Sequence, residues 1–107
     1  LLIESVTRTK RLLVVDHADP FCGVGSEIVS LIAEKLFSQL TSAPEKLALP
    51  SHPVPTSHSL ADNYYPISDD IVKRVLAQMK SPTKFVPSFQ SSNRRRDQPN
   101  KDFQGPF

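Results

Sequence analysis

Tryptophan is absent from this 107-residue chain, cysteine occurs once and glycine three times. With Cys22 alone, no intrachain disulfide can form, which fits a reducing compartment. No apolar run approaches the ~20 residues that a membrane-spanning helix needs. The opening residues, Leu1-Leu2-Ile3-Glu4-Ser5-Val6, lack the basic segment of a signal peptide. They read instead as the last turns of an amphipathic helix cut at its start, which makes the chain look like a fragment. A strongly charged body is missing too. Residues 1–81 hold eight Lys/Arg and nine Asp/Glu, and residues 82–107 hold five Lys/Arg and two Asp. The body is therefore neutral to acidic and only the tail is basic, so the formal net charge of +2 says little about nucleic acid.

Proline is in excess, at ten residues. It removes backbone donors and fixes φ, so the core-forming part is smaller than the length suggests. Arg11-Leu12-Leu13-Val14-Val15-Asp16 is an apolar run bounded by charge, the pattern of a strand covered on both faces. A loop from His17 to Gly25 follows. Ser26-Glu27 then opens a helix expected to reach Leu40, with Ile28, Val29, Leu31, Ile32, Ala33, Leu36, Phe37 and Leu40 as a wide apolar stripe. Strand, glycine loop and helix make half of a βαβ unit. Lys46-Leu47-Ala48-Leu49 is a short strand candidate. The proline-rich stretch Pro50–Pro66 is expected to hold no regular element. Ser68 is expected to cap a helix bearing Ile71, Val72, Val75, Leu76 and Met79, ending near Lys80. From Pro82 onward the composition is that of a disordered tail, with four prolines and Arg94-Arg95-Arg96. Two strands and about two and a half helices do not complete a parallel sheet, so the domain is incomplete or leans on a partner.

Several residue groups invite chemistry, and each has a plainer reading. Gly23-Val24-Gly25 before a helix suits anion binding, but the third position of a dinucleotide fingerprint is Ile28, so a tight strand-to-helix turn is favoured. Asp16, His17, Asp19 and Cys22 resemble a metal cluster, yet no second ligand group follows at a recognised spacing, and His52 and His58 lie in the proline-rich stretch. A polar loop is favoured. Cys22 near a helix N-terminus has a lowered thiol pKa as an expectation, but no base or orienter is evident, so a small buried residue is favoured. Arg94–Arg96 with Phe89 and Phe103 could touch nucleic acid or acidic lipid, against a solvated tail. Phe85, Val86, Phe89, Phe103 and Phe107 are the tail residues with something to dock. No active site is visible.

Leu12-Leu13-Val14-Val15-Asp16, Pro20, Gly23-Val24-Gly25-Ser26-Glu27-Ile28, Ala43-Pro44, Pro53-Val54-Pro55, Leu60, Tyr64-Tyr65-Pro66 and Asp70-Ile71-Val72 follow one another as in a known domain. Over residues 1–81 the chain resembles the transketolase-type C-terminal domain, closest to the beta subunits of pyruvate, branched-chain and acetoin dehydrogenase decarboxylase components. The resemblance implies an incomplete three-layer α/β/α domain, N-terminally short of a strand and a helix, followed by the tail at 82–107. It implies a fragment of a thiamine diphosphate-dependent 2-oxo acid dehydrogenase beta subunit with no catalytic residue of its own. Thiamine diphosphate and magnesium belong to the complete enzyme, between the alpha subunit and the N-terminal domain of beta, and are not bound by this segment. The implied partners are the alpha subunit, a second beta subunit and the dihydrolipoyl acyltransferase core, with no membrane or nucleic acid. The implied location is a bacterial cytoplasm or the mitochondrial matrix.

Within this resemblance Gly23, Gly25, Glu27 and Ile28 are candidates for the subunit interface, and Ser42, Lys80 and Ser81 for partner docking. Some relatives place an acidic residue where Ser42 stands, and their chains end near Ser81, whereas this one runs on to Phe107. Two other readings are a non-catalytic interaction module with a basic tail and the matching domain of a transketolase or deoxyxylulose-phosphate synthase. Pro53-Val54-Pro55 and Tyr64-Tyr65-Pro66 favour the dehydrogenase group.

Overall fold

The computed structural model of the chain describes residues 1–61 and 64–81. The tail from Pro82, with its expected disorder, lies outside the described residues. The elements run α1 (Leu2–Thr9), β1 (Leu13–Val15), α2 (Val24–Leu36), β2 (Glu45–Leu47), α3 (His58–Ala61) and α4 (Ser68–Gln78).

The two strands pair in parallel, with Leu13 opposite Glu45, Val14 opposite Lys46 and Val15 opposite Leu47. Parallel neighbours need a crossover, and α2 supplies it. The ladder extends past the strands: Glu45 N–H donates to Leu12 C=O and Asp16 N–H to Leu47 C=O, both at 3.0 Å. Side chains alternate faces along a strand. Val14 points at α2, its Cγ1 lying 3.4 Å from where a Cβ on Gly25 would be. Leu13 points the other way and shares a groove with Val75 and Met79 at the end of α4. α2 packs on both strands, α1 packs on α2, and α4 packs on β1. This is an incomplete three-layer α/β/α arrangement, as the sequence implies.

The core is small. Val6, Ile32 and Leu36 are buried together, with Leu12 and Leu40 packed around them. Only Ile32 is fully buried among the larger side chains described. Thirteen large apolar residues are exposed, against five buried apolar residues among those described. Burial of this extent leaves much of the apolar surface for something else to cover.

Element ends differ from the sequence expectations for identifiable reasons. α2 starts at Val24 rather than Ser26, with Gly23 as its N-cap in extended backbone. Asp16 explains the early start: its Oδ2 accepts from Gly25 N–H at 3.1 Å and satisfies an amide that the first turn leaves without a partner. The far end tightens into a single 3-10 turn at Phe37–Gln39 instead of continuing as α-helix to Leu40. There Leu40 N–H is shared between Leu36 C=O at 3.2 Å and Phe37 C=O at 3.3 Å, a bifurcation common at helix ends. The N-cap of α4 is Ile67, not Ser68, because the N3 residue Asp70 reaches back to Ile67 N–H at 3.1 Å.

For the stretch Pro50–Pro66, the expectation of no regular element is corrected by α3. Between Pro55 and Pro66 no proline interrupts the chain, and Ser57 C=O accepts from Leu60 N–H and Ala61 N–H at 3.1 and 3.0 Å. One short turn therefore closes and buries Ala61.

Candidate functional site

Two ends of the sheet carry the residues singled out from the sequence. At the C-terminal ends of the strands, the loop after β1 is held by three side chains. Asp16 caps α2. Asp19 Oδ1 accepts from Phe21 N–H at 2.7 Å and from Ser51 Oγ at 3.2 Å. Lys46 Nζ donates to Pro20 C=O and to Ser26 Oγ, while Ser26 Oγ itself donates to Pro20 C=O at 2.8 Å. Leu49 N–H donates to Ala18 C=O at 3.3 Å and joins the loops that follow the two strands.

Close approach bears on both glycines of the turn, and most tightly on Gly23. A Cβ on Gly23 would stand 2.7 Å from the Asp19 carbonyl oxygen, and one on Gly25 3.2 Å from Asp16 Oδ2. The turn does not fit a phosphate, because a carboxylate already holds the Gly25 amide and would repel a second anion. Asp16, His17, Asp19 and Cys22 do not converge. Among the described residues, no group of three His, Cys, Asp or Glu is placed to hold a metal ion. The expectation of a small, buried Cys22 is corrected as well. Cys22 is exposed, with its backbone in the left-handed region at φ 55, where the turn leaves its side chain outside the packing.

Aromatic rings join this end into one surface. His52 and Tyr64 lie 5.2 Å apart between centroids, Tyr64 and Tyr65 meet edge-on at 5.0 Å, and His17 stands 6.4 Å from Tyr65. Edge-on and tilted pairs at such spacings are the favoured ones. Tyr64 Oη donates to His52 C=O at 3.0 Å, so the buried tyrosine ties the two ends of the proline-rich stretch together.

The interface candidates separate into two pairs. Gly25 faces inward, on the same stripe as Ile32 and Leu36. Glu27 is exposed and Ile28 half-buried, on the outer side of α2 with exposed Val24 and Leu31. Positions 24, 27, 28 and 31 follow helical spacing, so they form one outward stripe.

At the opposite end, Gln78 organises the docking candidates. It is buried, and both amide hydrogens are engaged: Nε2 donates to Leu12 C=O at 3.0 Å and to Ala43 C=O at 3.3 Å. The end of α4 is thereby tied to the residue that follows Ser42. Lys80 and Ser81 belong to the same end. Lys80 takes the left-handed conformation at φ 51, Lys80 N–H donates to Ala77 C=O and Ser81 N–H to Leu76 C=O, each at 3.0 Å. That pair of bonds is the Schellman closure of a helix. Ser42 Oγ is buried there without a hydrogen-bond partner among the described residues. Gln78 is absent from the residues that the sequence singles out. Its position seven after Ile71 and three after Val75, on the apolar stripe of α4, is the signal that marks it as inward-facing.

A parallel strand pair joined by α2, with α1 and α2 on one side and α4 on the other, defines an incomplete domain of α/β type. Over residues 1–71 the chain matches the family model for the transketolase C-terminal domain, and the chain belongs to that family. It is 35% identical over 81 residues to the beta subunit of acetoin:2,6-dichlorophenolindophenol oxidoreductase from Bacillus subtilis, covering 76% of this chain and 24% of that one. The corresponding subunit from Cupriavidus necator is 37% identical over 79 residues, covering 74% and 23%. The pyruvate dehydrogenase E1 component subunit beta of Rickettsia conorii is 32% identical over 74 residues, covering 69% and 23%. The chain spans about a quarter of the length of these relatives. They fall in the dehydrogenase group to which Pro53-Val54-Pro55 and Tyr64-Tyr65-Pro66 point. Among the described residues no helix is long and apolar enough to cross a membrane.

Proposed function

We propose that this chain is a C-terminal segment of the beta subunit of a thiamine diphosphate-dependent 2-oxo acid dehydrogenase decarboxylase component, and that it acts by contact rather than by chemistry. In the complete enzyme the reaction would be oxidative decarboxylation of a 2-oxo acid with transfer of the acyl group to lipoyl. The thiamine diphosphate and magnesium would be bound outside this segment, which has a carboxylate where a phosphate cradle would need free amides. The partners would be the alpha subunit, a second beta subunit and the dihydrolipoyl acyltransferase core, in a bacterial cytoplasm or the mitochondrial matrix.

Two surfaces divide the work. The outward stripe of α2, with Glu27 and Ile28 beside Val24 and Leu31, serves subunit assembly, and Gly23 and Gly25 fix the turn that aims it. The opposite end, with Ser42, Lys80 and Ser81, serves acyltransferase docking. The observation that carries the second assignment is the Gln78 amide, which bonds Leu12 and Ala43 together and so gathers distant parts of the sequence at one end of the domain.

Calorimetric titration of the chain with the subunit-binding domain of the acyltransferase from the same organism tests it. Saturable heat is expected, weakened by Lys80→Glu, a change at an exposed position. Absence of binding, or equal binding by the variant, would overturn the docking assignment.

A further inference from the structure

An open groove of about 470 Å³ lies between the end of α4 and β1, lined among the described residues by Thr9, Arg11, Leu13, Val75, Gln78 and Met79. Val75 and Met79 face it while exposed at 37% and 57%. The Gln78 amide is already engaged with two carbonyls, and Arg11 Nε donates to Gln78 C=O at 3.4 Å. The groove therefore offers mainly apolar side chains, with the Arg11 guanidinium among them, a surface suited to a largely apolar occupant.

We propose that the occupant is this chain's own segment from Phe85 to Phe89, seated through Phe85, Val86 and Phe89. The geometry of the helix end supports it. At Lys80 the backbone turns left-handed, and the Ser81 N–H to Leu76 C=O bond folds the chain back at the foot of α4. The last described residue, Ser81, thus lies two positions after Met79, which lines the groove. Phe85 follows Ser81 by four residues and Phe89 by eight. At 3.3–3.6 Å per residue these reach about 13–14 Å and about 26–29 Å, enough to enter a groove that begins at Met79.

Tethering decides between this segment and a separate molecule. A short flexible link holds its cargo at an effective concentration of order millimolar, so a contact too weak to recruit a free partner still holds an attached one. The basic run Arg94–Arg96 comes after the apolar residues and is not needed in the groove. This inference is independent of the docking assignment. Where both hold, the seated segment covers the same end of the domain as Ser42, Lys80 and Ser81, and a partner would have to displace it.

The test places a photo-crosslinking benzoylphenylalanine at Phe85 in the full 107-residue chain. After irradiation, adducts are mapped by mass spectrometry over a dilution series. The expected result is an intrachain adduct on Leu13, Val75 or Met79 whose yield does not change with dilution. Met79→Glu and Val75→Glu, both at exposed positions, should remove it. If Val75→Glu alters the circular dichroism spectrum, Met79→Glu alone carries the comparison. Adducts elsewhere on the chain, a yield that falls with dilution, or an adduct that survives the substitution would overturn the proposal.

Discussion

Asp16, Gly23, Gly25 and Lys80 show how single residues fix the fold without doing chemistry. The Asp16 carboxylate bonds the Gly25 amide at the positive end of α2, where the helix dipole also favours it. Asp16→Ala should cost about 0.5–2 kcal/mol, the range for losing a helix cap, as read from urea unfolding. The glycines are not equivalent. Gly23→Ala puts a Cβ 2.7 Å from a backbone oxygen, which must move. Gly25→Ala meets a side-chain oxygen at 3.2 Å that can yield, and gains up to about 1 kcal/mol of helix propensity. Unfolding should therefore show Gly23→Ala clearly destabilised and Gly25→Ala close to neutral. The reverse order would mean that the turn is not held as described. Lys80 sits at φ 51, a region costing most L-residues about 1–2 kcal/mol. Lys80→Gly should stabilise the chain by up to about 1 kcal/mol, after the larger backbone entropy of glycine in the unfolded chain is subtracted.

Among the elements, α2 is the most legible in the sequence because its apolar residues repeat at helical spacing. Ile32 and Leu36 land in the core. Its ends are not legible. The cap comes from Asp16, nine residues away, which no local pattern reveals. The close is a 3-10 turn at exposed Phe37, where no packing holds the α-helix on course. The same limit explains α3. Prolines suppress the expectation of structure, but the turn forms in the proline-free interval and is held by the burial of Ala61 and Tyr64. The glycine turn is legible from local chemistry, whereas for Gln78 the register shows only that it faces inward, because its partners, Leu12 and Ala43, are remote in sequence. Leu36 is 5% exposed, so Leu36→Ala should cost about 2–5 kcal/mol from lost burial and the cavity left behind. Leu31→Ala, at a position 39% exposed, should change stability by no more than ~0.5 kcal/mol in the isolated chain. Equal losses at the two positions would place both in the core and remove the outward stripe.

The molecule as a whole exposes more large apolar side chains than it buries among the described residues. A two-stranded sheet with helices on both faces is too small to cover them, and the subunit contact proposed above would cover that surplus. Hydroxyl-radical footprinting reads this surface side chain by side chain, in the chain alone and in an assembled decarboxylase component that contains it. If neighbouring subunits cover the outward stripe of α2, oxidation at Val24 and Leu31 falls sharply on assembly, while buried Ile32 stays protected in both states. Oxidation of Val24 and Leu31 at the same rate in both states, with the component intact, would contradict that burial.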